Sequence, residues 1–152
     1  MSFAAPESES PTDEIVEKGS SLLARRIGYV YTVEDLARWL GPSAGDPLTT
    51  NAVLTRANDH QLVGFLTDDN QWAFPAWQFD ETAERLVLRY EVVMLWQQLP
   101  HDGVLSDIDL AAWMNTRITS LDGGTPVEWA DRHGAGDEVL AGPLSRLRTR
   151  AA

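Results

Sequence analysis

The run "LVGFLTDDNQWAFPAWQFD", residues 62–80, decides how the chain is read. Apolar residues alternate on each side of Asp68-Asp69-Asn70, which is the pattern of a β-hairpin closed by a polar turn. Its second half, residues 72–80, carries four of the chain's thirteen aromatic residues, one proline and a terminal acid. As a strand, this half sends Trp72 and Phe74 to one face, and Ala73 and Pro75 to the other. Aromatic platforms that stack bases come with a positive groove, whereas the neighbours here are Asp68, Asp69 and Asp80. The stretch therefore reads as a packed joint. Its aromatics bury against the helices that precede it and the long apolar segment that follows, and Pro75 stiffens the exit.

Upstream of the joint lie two helical segments. "YTVEDLARWLG", residues 31–41, offers Thr32 as a cap, places Val33, Leu36, Ala37 and Leu40 on one face, and stops at Gly41. After the turn "PSAGDP", residues 42–47, the segment "LTTNAVLTRANDHQL" reads as a second helix capped by Thr49 or Thr50 that buries Val53, Leu54 and Ala57. Two short helices joined by a turn form a helix-turn-helix skeleton, here with a longer turn than usual, and the hairpin would be its wing. An earlier helix is expected to start at Ser10-Pro11 and to carry Ile15, Val16, Leu22, Leu23 and Ile27 on one stripe. Residues 1–12 are Ser, Glu and Pro rich and read as an acidic disordered tail.

Downstream, "DETAERLVLRYEVVMLWQQLP" is apolar on nearly every side from Leu86 to Leu99, with Arg89 and Glu91 as exceptions. Read as one helix, it is buried either within a bundle or against a second subunit. A helix capped by Ser106 follows the break at residues 101–103. Next comes "TPVE", a capping box on Thr125 with Pro126 at the first helical position and Glu128 three past the cap, in a helix ending at Gly134. Asp137 caps the last helix, which Pro143 is expected to kink or split. The fold expected is mostly α: an N-terminal helix-turn-helix with a small β-hairpin wing over 13–80, then a small C-terminal helical bundle over 81–152.

Composition narrows the function. The 152 residues contain no cysteine, which removes disulfides, thiolate metal sites and cysteine nucleophiles. No apolar run has the length of a membrane span, and the acidic start lacks an apolar signal core, so a cytoplasmic protein without membrane contact is expected. The net charge is −11 and every third of the chain is acidic: five acids against one lysine in 1–18, seven against four arginines in 19–80, eleven against seven arginines in 81–152. Nonspecific grip on nucleic acid is thereby disfavoured, so DNA contact would rest on a small patch. The candidates are Thr49, Thr50, Asn51, Thr55 and Arg56, whose hydroxyls, amide and guanidinium suit phosphates and base edges. Two copies on a palindrome would be needed, which calls for a homodimer.

Other constellations are bland. His60, His101 and His133 lack metal-ligand spacing and read as surface residues. Asp68-Asp69-Asn70 is too short for a calcium loop. Asp107 reads as compensating a helix dipole and Asp109 as solvated. Neither Gly123-Gly124 nor residues 134–136 form a phosphate fingerprint, and no serine sits in a nucleophile elbow. No enzyme, cofactor or metal is expected.

Several short motifs in order resemble one known family. "GFLTDDNQWAFPAWQFD", an apolar segment ending in Leu99-Pro100, Trp113, "LDGGTP" at residues 121–126, a short helix to Gly134 and a last helix around 139–147 are together similar to the Xre/MbcA/ParS-type antitoxins, over residues 62–149. The resemblance implies a helical antitoxin of a type II toxin–antitoxin system. Such a protein binds a RES-domain toxin that degrades NAD, blocks it with the C-terminal region and represses its own operon. Carried over by position, the toxin-binding residues are Arg146, Arg148 and Arg150, with Leu144 and Leu147 as apolar anchors. The guanidiniums suit either a phosphate-shaped pocket or the toxin's carboxylates. The alternative reading is a stand-alone helix-turn-helix transcription regulator without a toxin. A third is an adaptor that self-associates through its apolar helix.

Overall fold

A computed structural model describes residues 25–40, 48–82 and 85–151. The helix expected from Ser10-Pro11 onward, the acidic tail, the turn of residues 42–47 and the stop at Gly41 lie outside them, apart from a helical end at 25–27 that buries Ile27 completely. The chain is mostly helical with a small amount of antiparallel sheet.

The organising strand is β3, Trp72–Pro75, which pairs on one side with β1, Val30–Tyr31, and on the other with β2, Phe65–Leu66. The β2–β3 hairpin forms where the alternation placed it, and Asn70 takes the left-handed turn position with φ 65°. Period-two geometry then gives the sheet two different faces. Trp72 and Phe74 join Tyr31 in one hydrophobic cluster with Leu36, Leu40, Val53, Ala57, Leu62, Phe79 and Leu86. Ala73, Phe65 and Val30 face a larger cluster with Ile27, Val92, Leu95, Trp96, Leu110, Leu121, Leu140 and Leu147. Helix α1, Val33–Trp39, and helix α2, Thr50–Asn58, pack on each other against the first face. The remaining helices cover the second.

Local capping works as the sequence implied. Thr32 closes a capping box with Asp35, Thr49 accepts from the Ala52 amide, and Ser106 accepts from the Asp109 amide. Leu54, expected in the core, is only half-buried. After β3 the chain makes a 3₁₀ turn, Ala76–Gln78, and then strand β4, Phe79–Glu81, which pairs with β5, Leu86–Leu88. This second strand pair corrects the sequence reading. Residues 86–88 are the return strand of a tight connection, with Leu86 in the first cluster, and helix α3 begins only at Tyr90 and runs to Gln98. The core therefore crosses the boundary drawn at residue 80: Leu86 lies with the helix pair, and Phe65 and Ala73 with the later helices.

Helix α4, Asp107–Met114, helix α5, Pro126–His133, and helix α6, Glu138–Arg150, complete the second layer with α3. Most of the apolar surface of α3 is filled inside the chain: Val92, Val93, Leu95, Trp96 and Leu99 are all at most 4% exposed, while Tyr90 at its start is exposed. It therefore gives no argument for self-association. Pro143 does not split α6, which is continuous over 13 residues. A proline five residues past the first helical position removes the donor for the Val139 carbonyl, a loss confined to the first turns of a helix whose apolar stripe is buried on either side of it.

The seam between the layers is closed by one buried polar group. Gln78 is fully buried, and its side-chain amide pairs with the Val63 backbone as a strand would. Oε1 accepts from the Val63 amide at 2.8 Å, and Nε2 donates to the Val63 carbonyl at 2.7 Å and the Pro75 carbonyl at 3.0 Å. The Gln78 carbonyl in turn receives the Arg89 amide at 2.7 Å. Beside it, Gly64 admits Phe74, because a Cβ there would stand 2.8 Å from Phe74 Cε1. Replacing Gln78 by Leu strands the N–H and C=O of Val63 in an apolar site, and should cost about 2–4 kcal/mol of unfolding free energy. Urea denaturation followed by tryptophan fluorescence would read this; a loss under about 0.5 kcal/mol would show that the amide does not hold the seam.

Candidate functional site

Two surfaces were expected to carry function, and each is built from local rules. On α2, Val53 and Ala57 turn inward, so Thr50, Asn51 and Thr55 are left exposed on the outer face and Arg56 is half-exposed. Thr49 is a cap, its hydroxyl oxygen held 3.0 Å from the Ala52 amide. The outer face is thus polar with one guanidinium, and the helix ends on exposed Asp59. Such a face can hydrogen-bond phosphates or base edges but supplies little of the charge that drives nonspecific binding.

The second surface belongs to α6 and the loop that supports it. "LDGGTP" is a tight loop: Asp122 and Gly123 both take positive φ, and the Gly123 amide reaches the Ile118 carbonyl at 3.1 Å. It delivers Thr125 into its capping box, where the Thr125 amide donates to Glu128 Oε1 at 3.0 Å and the Glu128 amide to Thr125 Oγ1 at 3.1 Å. Helix α5 then buries Val127 and Ala130 and ends at Gly134 with φ 98°. Glu91 of α3 holds the following turn by accepting from the Ala135 amide at 2.8 Å, and Trp129 Nε1 donates to the cap residue Asp137 at 2.8 Å. The consequence is a fixed start for α6. Trp113, Leu121 and the helices over 126–133 and 138–150, the elements that carry the family resemblance, all pack in the larger cluster.

Within α6, Leu140, Pro143, Leu144 and Leu147 form the buried stripe. This corrects the expectation for Leu144 and Leu147. They are 5% and 1% exposed inside the chain's own core and are not offered as anchors to another protein. The arginines behave differently. Arg146, Arg148 and Arg150 are exposed, and among the described residues none of them forms an ion pair. Arg148 donates to the Gln98 carbonyl at 3.0 Å, closing the C-terminal end of α3, while Arg146 reaches the Ser120 hydroxyl only at 3.5 Å. Val139, Gly142, Arg146 and Arg150 recur at helical spacing, so the outer stripe of α6 runs from an exposed valine to two cations. Cations at this end also complement the helix dipole.

Some of the other charged side chains are paired, while Arg38, Arg56 and Arg132 form no ion pair among the described residues. Arg89 bridges Asp80 at 2.7 Å and Asp131 at 3.4 Å. Arg117 lies 4.0 Å from Glu128. Asp109, expected to be solvated, pairs with Arg26 at 3.1 Å, and this hydrogen bond is the main reason its carboxyl is held below the usual range. Tyr31 is kept protonated to well above its ordinary range by burial and by its hydrogen bond to Glu81.

Two of the three histidines are not ordinary surface groups. His60 occupies the C′ position of α2 in the left-handed region, φ 59°, in a Schellman arrangement in which the Gln61 amide reaches the Arg56 carbonyl at 2.8 Å and the His60 amide the Ala57 carbonyl at 3.1 Å. Glycine is the usual residue there, and a side chain costs about 1–2 kcal/mol. The His60 ring stacks on His101 with centroids 3.9 Å apart and planes 15° apart. No local signal shows this, because the two residues meet only after the helix pair docks on the later helices. Only His133, beside Trp129 on an exposed face, matches the sequence reading. Among the described residues no group of three or more His, Asp or Glu gathers to hold a metal, and no helix is long and apolar enough to cross a membrane.

No family model matches the chain, and neither a curated protein nor a solved structure is significantly similar to it.

The two α6 residue classes separate cleanly by experiment. Leu144→Ala should lower unfolding free energy by about 2–5 kcal/mol, as expected for a core leucine. Arg150→Ala should change it by less than about 0.5 kcal/mol. Equal effects in chemical denaturation would contradict the division into buried and outward stripes.

Proposed function

We propose that this protein is an antitoxin that binds and blocks a RES-domain, NAD-degrading toxin through the outer stripe of α6. The observation that carries the reading is a chain of net charge −11 that leaves Arg146 and Arg150 exposed at one helix end, without carboxylate partners among the described residues. The ordered motifs of residues 62–149 support it. Since Leu144 and Leu147 are internal, the apolar contact falls to Val139, 41% exposed at the start of the same stripe. Guanidiniums suit the toxin's carboxylates or the phosphate-binding part of its pocket. Autorepression would use Thr50, Asn51, Thr55 and Arg56 on α2, with two chains on a palindromic operator.

A second reading, a transcription regulator without a toxin, is favoured by the exposure of Thr50, Asn51 and Thr55 alone. It requires a shift of promoter DNA that weakens as salt rises, and binding at low salt is its minimum condition.

The antitoxin reading is tested with the RES-domain protein encoded in the same operon. Stoichiometric addition of this chain should stop NAD consumption by that toxin, and the two proteins should co-purify. Arg146→Glu with Arg150→Glu should weaken inhibition at least about tenfold, in line with losing charge pairs at an interface, while circular dichroism stays unchanged. The reading fails if the operon holds no RES-domain frame, or if the toxin remains active in the complete mixture. Full inhibition by the double variant would move the contact away from α6.

A further inference from the structure

The stacked histidines join parts of the chain that are far apart in sequence. His60 closes α2 and belongs to the helix pair, while His101 follows α3 in the second layer. Around them the chemistry is specific. The His101 side chain is 9% exposed and packs edge-on against Trp96 with centroids 4.7 Å apart. Its Nε2 lies 2.6 Å from the Trp96 carbonyl, so Nε2 carries the hydrogen. Its Nδ1 is buried without a hydrogen-bond partner and stands 3.7 Å from Asp107 Oδ1. A lone pair and a carboxylate thus face each other, and one proton on Nδ1 would turn that contact into an ion pair. Nothing equivalent is built for His60. The charges acting on it are His101, Asp107 and Asp59. Asp102, next to His101, is engaged with the Val104 amide.

We propose that the His60–His101 stack is an acid-sensitive fastener between the helix pair and the later helices: one proton is accommodated by Asp107, and a second, on His60, forces the rings apart. Two imidazolium rings at stacking distance repel, and Asp107 can neutralise one of them. The resulting opening would separate α2 from the layer that carries α6, so acid would loosen one functional surface from the other. The inference does not depend on the antitoxin reading.

The direction with pH follows from His60. Burial first, and then His101, lowers its pKa below the usual histidine value of 6.5. Above about pH 6.5 both folded and unfolded chains hold it neutral, and stability is unaffected. Below that, the unfolded chain takes up the proton first, so the folded form loses ground until His60 itself becomes charged in place.

His60→Asn is the suitable control, because asparagine tolerates the left-handed position and does not titrate. The folding equilibrium constant of the wild-type chain relative to H60N should be constant above about pH 6.5 and fall by up to about tenfold per pH unit just below it. In NMR titrations of the wild-type chain, the His60 ring should titrate below the ordinary histidine value of 6.5, and His101→Gln should move it back up. At pH 5 the amide protection factors of Gln61 and Val63, corrected for intrinsic exchange, should be lower in the wild type than in H60N, and at pH 7.5 they should match. A constant ratio from pH 5 to 8, or a His60 ring that titrates at or above the ordinary histidine value, would overturn the proposal.

Discussion

Strand β3 has to satisfy two hydrophobic cores with four residues, and the rest of the molecule is arranged around that constraint. Its neighbours β1 and β2 are each two residues long, too short to persist as an independent sheet. What holds them is burial on both sides. Phe74 is fully buried toward α1 and α2, while Phe65, on the paired strand, is fully buried toward α3 and α4. Each such aromatic removes about 150–250 Å² from water, so the pair contributes several kcal/mol at about 25 cal/mol per Å². A hydrogen bond of the ladder nets about 1 kcal/mol. Packing therefore decides that the sheet forms, and hydrogen bonding decides its register. Covering both faces would strand the polar edge of Val63 in the interior. The Gln78 amide answers that demand by supplying the donor and acceptor of a missing strand.

The same constraint explains what could be read from the sequence. Features governed by neighbours three or four residues away were legible: the capping box at Thr125, the caps at Thr32, Ser106 and Asp137, the stop at Gly134 and the hairpin around Asn70. Leu86–Leu88 was not. A three-residue apolar run before a helix satisfies helical and extended periodicities equally, and only the presence of Phe79–Glu81 alongside makes it a strand. Pro143 misled for a related reason: the local rule counts the lost donor and ignores the burial of Leu140, Pro143, Leu144 and Leu147, which holds the helix together. The histidine pair and the Gln78 bridge depend on residues 41 and 15 positions apart, which no window along the chain can join.

For the candidate surfaces the division is similar. The polar residues on α2 were readable because its buried positions repeat at helical spacing, and the exposed ones follow by subtraction. On α6 the same spacing applies, but the family resemblance named Leu144 and Leu147 as contacts, whereas their periodicity with Leu140 makes them core. An amphipathic helix has one apolar stripe, and here the domain uses it. Flanking that stripe on the exposed side, a single exposed valine precedes two arginines.

The distribution of charge sharpens that conclusion. In so acidic a chain, arginines have many carboxylates to choose from; Arg26 and Arg117 each take one, and Arg89 takes two. Exposed pairs of this kind are worth about 0–1 kcal/mol, so folding gains little from them and loses little by leaving Arg146 and Arg150 without one. In the proposed complex they would act on approach and orientation, since complementary charge sets association rates and rejects wrong partners more than it adds affinity. The α2 face and the α6 stripe are tied to different clusters, on opposite faces of the β3 layer. Among the described residues, β3, the Gln78 bridge and the His60–His101 stack are three places where the helix pair meets the later helices. Of the three, only the stack can change its charge near neutral pH, and so it is the place where solution conditions can alter how firmly the two surfaces are coupled.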